Sequence, residues 1–137
     1  MSDPLVSSIR IAGAGLAAQS TRLRVVSENV ANADVTAQVA GGDPYQRKLV
    51  SFEADTEDEA APIKLGDITL DQRPFRLEFE PGHPAANAAG YVKHSNVDVN
   101  VELADMREAN RAYLANLQMV KQARESISAT LELLRNS

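Results

Sequence analysis

The sequence contains no cysteine and no tryptophan, and aromatic residues make up only 4% of its 137 positions. Without cysteine there is no disulfide, no thiolate nucleophile and no metal site built on sulfur. With so few aromatic side chains, the core must rest mainly on alanine, valine and leucine. That composition favours helices packed on one another over a thick aromatic sandwich.

Basic residues are also in short supply, since 14 Lys and Arg face 19 Asp and Glu, for a net charge of -5. An acidic chain lacks the positive surface that binds a phosphate backbone, so we expect no nucleic-acid partner. No apolar run approaches the roughly 20 residues of a membrane-spanning helix. The basic and apolar regions of a signal peptide are missing after Met1, and we therefore expect export, if any, to use no cleaved leader.

Apolar residues near the N-terminus recur at alternating spacings of four and three, which predicts a helix over residues 4 to about 32. Asp3 is a suitable N-cap, and Pro4 is tolerated in a first helical turn. This heptad pattern indicates a seam for a partner helix along the whole segment. The series is Leu5, Ile9, Ala12, Leu16, Leu23, Val26 and Val30, with Gln19 in the one gap.

A second heptad series predicts a helix from about residue 98 to 135, roughly 55 Å long. Such a helix is too long to be buried within a small globule, and it needs a partner along its length. Asn110 and Arg124 interrupt the series; each either sets the register of the seam or faces solvent. The series is Val99, Leu103, Met106, Asn110, Tyr113, Leu117, Val120, Arg124, Ile127, Leu131 and Leu134.

The middle of the chain has a different character and predicts short strands at 49–52, 63–70 and 75–79, with another beginning at Tyr91. Turns are expected at 41–44 and 81–84, and the acidic stretch 53–62 is expected to be a solvated loop. In the third strand, apolar and charged residues alternate, which indicates one buried apolar face.

Together these segments predict an α+β fold. Residues 1–36 and 96–137 form the helical core, an antiparallel coiled-coil-like hairpin, and residues 37–95 form a small β-rich insert. A two-helix hairpin has a thin core and gains stability from assembly. We expect the heptad residues to pack first within the hairpin and then between subunits. The expected interface residues are Leu16, Leu23, Val26, Val30, Leu103, Met106, Tyr113, Leu117, Val120, Ile127 and Leu131.

Few residues suggest catalysis or ligand binding. Residues 13–18 match the G-x-G-x-x-A dinucleotide fingerprint, but polar residues precede Gly13 where a buried strand is needed, and the chain lacks further βαβ units. Small residues that let two helices approach closely are the better interpretation. His83 and His94 are the only histidines, and neither has a His or Cys at ligand spacing. We expect no catalytic residue, no cofactor and no metal.

Five segments, in chain order, resemble those of the flagellar rod and hook proteins. Residues 16–23 and 27–33 resemble the segments GLxAQxxRL and NxANxxT, with Thr36 one position late. Residues 41–48 resemble GxPYRRK, and residues 106–116 resemble MxEAxRAYxAN. Residues 81–98 resemble PxHPxAxxxGYVxxPNV, with Ser95 in place of Pro, and are most similar to members from the proximal rod.

The resemblance implies a non-catalytic subunit of the flagellar basal body, exported through the flagellar type III apparatus and assembled in the periplasm into a helical tube that transmits torque. Its implied partners are copies of itself, other rod subunits, and the membrane ring and export gate at the rod base, with no small-molecule substrate. Two alternatives remain open: a soluble coiled-coil adapter or export chaperone, and a small dinucleotide enzyme. Asn29 and Asn32 are interpreted as helix-terminus residues.

Overall fold

The computed structural model describes residues 3–58 and 63–137 and contains two long helices with four strands between them. The elements are α1 (Pro4–Ala31), β1 (Lys48–Ala54), β2 (Ile63–Leu70), β3 (Arg76–Phe79), β4 (Tyr91–His94) and α2 (Val99–Arg135). This order confirms the predicted α+β class and the position of each predicted helix and strand. Part of the predicted acidic loop, residues 59–62, lies outside the described residues.

An aspartate directly precedes each helix, and its side chain accepts a hydrogen bond from the first turn. The Asp3 carboxylate accepts the Leu5 N–H at 2.9 Å, as expected for the predicted cap, and Pro4 is the first helical residue. The Asp98 carboxylate accepts the Asn100 N–H at 3.0 Å at the start of α2. These caps satisfy amide groups that have no partner within the helix. In the part of the chain that the structure describes, neither helix is apolar enough to cross a membrane.

The strands form two separate two-stranded sheets, β1 with β2 and β3 with β4. In the antiparallel β3–β4 sheet, Phe79 lies opposite Tyr91, and their rings meet edge to face with centroids 5.3 Å apart. This apolar face is exposed: Leu77 by 61%, Phe79 by 64% and Tyr91 by 43%, whereas Val92 on the other face is fully buried. The expectation that the apolar face is buried was wrong, because alternation defines which residues share a face but not which face turns inward.

The chain separates into two compact units, and each unit contains part of both helices. One unit comprises Met1–Leu23, Ser51–Gly66 and Arg107–Ser137, and the other comprises Arg24–Val50 and Asp67–Met106. Burial is concentrated on small and β-branched residues such as Ala12, Val25 and Ala109, each 0% exposed. The scarcity of aromatic residues therefore has the expected consequence for the core.

Within the first unit, α1 and α2 run in opposite directions. Arg22 pairs with Glu108 at 3.4 Å, and the backbone of Gly15 lies against the Asn116 side chain. Near the start of α1, Leu5 lines a shallow groove together with α2 residues between 119 and 126. Since α1 begins at Pro4, the last two turns of α2 extend beyond it.

Candidate functional site

The inward face of α1 carries the residues of the first heptad series. Leu16, Leu23 and Val30 are half-buried, and Val26 is only 3% exposed. The buried face is wider than the predicted seam, because it also includes Ala18, Val25 and Asn29.

The inward face of α2 shares half of its positions with the predicted series. Met106, Tyr113, Val120 and Ile127 are half-buried at intervals of seven residues. Between them, the most deeply buried positions lie one residue before the predicted ones. These positions are Glu102, Ala109 and Ala123, together with the half-buried Asn116.

This shift places the two polar residues of the α2 series outside the seam. Asn110 and Arg124 are exposed, because the alanines that precede them occupy the inward positions and allow close helix approach. Leu117 stays half-buried, whereas Leu103 is 37% exposed and Leu131 is 60% exposed. Neither of these last two leucines is fully buried in the single chain, and their role between subunits remains a prediction.

The two glycines of the apparent dinucleotide fingerprint lie within α1, so no strand precedes Gly13 and a nucleotide-binding turn is absent there. A methyl group built on Gly15 would lie 2.7 Å from the Asn116 amide, whereas one on Gly13 meets nothing within 4 Å. The segment therefore has the alternative role expected for it, since Gly15 allows a close contact between helices.

This difference predicts opposite responses to the same substitution. Gly13→Ala should raise the free energy of unfolding by about 0.5–1 kcal/mol, because alanine costs less backbone entropy in a helix. Gly15→Ala should lose that gain, since the new methyl group would displace the Asn116 amide from its 3.0 Å hydrogen bond to the Ala112 carbonyl. Urea unfolding followed by circular dichroism measures both; equal gains at the two sites would contradict the close contact.

A network of polar side chains lies within the second unit, centred on Asn29, which is 1% exposed. Its amide nitrogen donates to the Lys48 carbonyl at 2.9 Å and to the Glu102 carboxylate at 3.1 Å. Its oxygen accepts the Tyr45 hydroxyl at 2.8 Å and the Lys48 N–H at 3.0 Å. All four hydrogen-bonding positions of this amide are thus occupied. Asn29 joins α1 to α2, to the first residue of β1 and to Tyr45 in the segment before it.

Glu102 is the most deeply buried charged residue of this network, with no exposed surface. One carboxylate oxygen accepts from Asn29 and the other from the Arg47 guanidinium. Arg47 also pairs with Asp71 at 3.2 Å, and its backbone N–H donates to the Asn96 side chain at 2.8 Å. A buried carboxylate is tolerated only when it is paired and hydrogen-bonded, and this one is both.

Asp71 extends the network toward the surface. Arg73 contacts it at 2.7 Å and Arg47 at 3.2 Å. The hydrogen bond from the Arg73 side chain, helped by the Arg73 backbone N–H and by Arg47, lowers the pKa of Asp71 from 3.8 to about 2, although burial opposes this shift. The ionised form is therefore the one that the fold stabilises.

The lowered pKa predicts a specific loss of stability in acid. Because the folded-state pKa is depressed, the contribution of Asp71 is complete above 3.8 and disappears as the pH falls toward about 2. Asp71→Asn should therefore be less stable than the parent chain at neutral pH, with the difference shrinking over that acidic range. Urea midpoints measured across the range test this, and a difference independent of pH would contradict it.

Sequence reasoning identified the members of the network only in part. Asn32 does have the predicted helix-terminus role, since its amide donates to the Glu28 carbonyl at 2.8 Å. Asn29 does not: it is a buried link between elements, and neither spacing nor hydropathy indicates its partners. The available signal was that the segments 27–33, 41–48 and 81–98, which resemble rod proteins, contain Asn29, Arg47 and Asn96 respectively.

Comparisons with known proteins identify the family of this chain. Residues 9–37 match the family model "Flagella basal body rod protein", and residues 88–133 match "Flagellar basal body rod FlgEFG protein C-terminal". The matched segments include most of α1 and α2.

Curated relatives from several bacteria carry the name "Flagellar basal-body rod protein FlgC". The protein from Agrobacterium fabrum is 49% identical over 98% of this chain and 99% of its own length. The protein from Escherichia coli O6:H1 is 41% identical over 94% and 97%, and the one from Bacillus subtilis is 33% identical over 92% and 95%. The chain therefore belongs to the FlgC family of flagellar basal-body rod proteins, and it is a structural subunit of the rod and not an enzyme.

Proposed function

We propose that this chain builds the proximal part of the rod by packing its terminal helices against those of neighbouring subunits, forming a stiff helical tube that transmits torque. Residues 1–36 and 96–137 would form the packed helical layer as coiled-coil-like hairpins, and residues 37–95 would form the insert between them. The predicted interface residues of the two heptad series would supply the packing.

The observation that carries this proposal is the exposed apolar surface on the overhanging end of α2. Leu131, Leu133 and Leu134 are 60%, 74% and 67% exposed. They lie in the last two turns, beyond the start of α1. Leucine side chains gathered in this way on a helix mark a surface that another molecule covers. Burying each one would contribute about 1.5–3 kcal/mol.

A second exposed apolar surface supports the same proposal. The outward face of the β3–β4 sheet carries Leu77, Phe79 and Tyr91, all more than 40% exposed. Aromatic residues at the surface of a chain with so few of them are candidates for contacts between subunits. We propose that this sheet face contacts an adjacent rod subunit, so that each subunit has one helical and one sheet contact.

The proposal also specifies where in the cell the subunit lies and which components it contacts. A proximal rod subunit would lie in the periplasm and would contact the membrane ring and the export gate at the rod base. Export without a cleaved signal peptide remains a prediction of the sequence. The adapter or export-chaperone alternative has no observation in its favour, because it assigns no role to the exposed sheet face.

An in-frame deletion of the gene tests the proposal, with swimming and purified basal bodies scored by electron microscopy. We expect basal bodies that retain the membrane ring but lack a rod, and full recovery when the intact gene is supplied on a plasmid. Motile cells with complete rods, in a strain without a second copy of the gene, would remove the proposal.

A further inference from the structure

Three side chains able to bind a metal converge on the inward face of the β3–β4 sheet. Glu78 lies on β3 and His94 lies at the end of β4, opposite Arg76 in the strand register. Glu80 follows one residue after β3, where its N–H donates to the Gly90 carbonyl at 2.9 Å and continues the strand pairing. The three side chains are thus held by a hydrogen-bonded scaffold.

Two of the distances between the ligand atoms match those found around a coordinated metal ion. His94 Nε2 lies 3.4 Å from Glu78 Oε2 and 3.5 Å from Glu80 Oε1, and the three ligand atoms lie within 4.8 Å of one another. Zinc binds nitrogen and oxygen at about 2.0–2.2 Å in tetrahedral geometry, which places neighbouring ligand atoms roughly 3.4 Å apart. The two measured separations from His94 therefore fit two edges of such a tetrahedron.

The histidine nitrogen supplies a second, independent observation. His94 Nε2 is shielded from solvent and has no hydrogen-bond partner, the one buried side-chain nitrogen or oxygen atom in that state among residues 3–58 and 63–137. Buried polar atoms without partners are rare in folded proteins and require an explanation. This atom lies within 3.5 Å of an oxygen of each carboxylate, so a cation placed among the three groups would satisfy all of them.

The two basic side chains of this sheet, Arg76 and Lys93, pair with oxygens other than the two proposed ligand oxygens. The Arg76 guanidinium approaches the other oxygen of Glu78, at 3.8 Å, and its side chain is 64% exposed. Lys93, on the opposite face of the sheet, pairs with Asp43 at 3.0 Å. The Glu78 and Glu80 side chains are 46% and 39% exposed, which gives an ion access from solvent.

We propose that Glu78, Glu80 and His94 form a binding site for a divalent transition-metal ion of the zinc type. One imidazole and two carboxylates supply three ligands, and a water molecule completes the fourth position. The bound ion joins β3 to β4 and stabilises the second unit of the fold. This site is additional to the structural function of the chain and does not depend on rod assembly.

The test uses the purified full-length chain after removal of metals with a chelator. Co²⁺ titration should saturate at one ion per chain and give the intense visible absorption of a tetrahedral site, and Zn²⁺ should displace it. Zn²⁺ should also raise the melting temperature, because it binds the folded state. Absence of saturable binding of both ions would overturn the proposal.

Two ligand variants and one matched control locate the site. His94→Gln and Glu80→Gln should each lower the Zn²⁺ affinity at least about 10-fold, since even indirect metal contacts are worth that much. His83→Gln changes the other histidine, whose Nδ1 accepts the Ala85 N–H at 3.0 Å in a turn, and should bind as the parent chain does. Circular dichroism verifies folding, and Glu80 is exposed enough for its variant to fold. Unchanged affinity in the folded ligand variants would refute the assignment.

Discussion

Glu102→Ala is expected to lower the free energy of unfolding of the chain by about 3–5 kcal/mol, the usual effect of removing one partner from a buried ion pair. The variant removes one of the two carboxylates that pair with Arg47, whose side chain is 16% exposed, and leaves it with Asp71. It also removes the acceptor of one Asn29 N–H. The Asn29 amide and the Arg47 guanidinium would then each have a buried N–H without its acceptor. The link between α1 and α2 would also be lost.

A matched control separates this effect from the loss of any glutamate on α2. Glu108 lies six residues further along the helix and pairs with Arg22 at 3.4 Å, but its side chain is 75% exposed. Glu108→Ala should cost no more than about 1 kcal/mol, as is typical of surface ion pairs. Urea unfolding of both variants gives the comparison; similar losses would show that the network contributes nothing beyond an ordinary surface pair.

The second large effect is expected on assembly. Replacing Leu131 and Leu134 together by glutamate should abolish swimming and rod formation in the deletion strain, because charges would then have to be buried between subunits. The same variant should unfold at nearly the urea concentration of the parent chain, since both leucines are at least 60% exposed in the single subunit. The measurements are motility, electron microscopy of basal bodies and urea unfolding of the purified protein.

The control for this variant carries one new negative charge at a neighbouring position, where the leucine variant carries two. Ser128 is exposed in the same two turns of α2, and Ser128→Glu should leave motility intact if the leucines form the contact. Normal rods in the double leucine variant would contradict the proposed role of the overhang. Loss of rods with Ser128→Glu as well would indicate sensitivity to charge anywhere on this end.

The helices were predictable because their signals are local. Period and capping are both properties of neighbouring residues, and Asp3 and Pro4 indicate the start of α1 before any tertiary contact is considered. The rotation of the α2 seam was not predictable in the same way. Leu103 and Leu131 are more apolar than Ala109 and Ala123, so hydropathy places the seam through the leucines, whereas close helix packing selects the alanines.

The polar features depend on contacts between distant parts of the chain. Asn29 meets Glu102 across 73 positions, and no periodic pattern connects an asparagine at the end of one helix with a glutamate at the start of another. No histidine or cysteine lies at ligand spacing from His94 in the sequence, and its neighbours in the structure are the carboxylates of Glu78 on β3 and of Glu80 just after β3. Strand pairing, and not sequence spacing, brings these groups together.

The Asn29–Glu102 network also bears on how a rotating shaft resists shear. A seam of repeating apolar residues looks nearly the same after one helix slides past the other by one heptad, about 10.5 Å, so apolar packing alone resists such slippage weakly. Among the described residues of the two helices, no asparagine lies seven positions from Asn29 on α1 and no carboxylate lies seven positions from Glu102 on α2, so a slip by one heptad would not rebuild the same contact. Sliding would therefore break the hydrogen bond between Asn29 and Glu102 and leave buried polar groups unpaired, and a torque that strains the helices would be resisted at this point in each subunit.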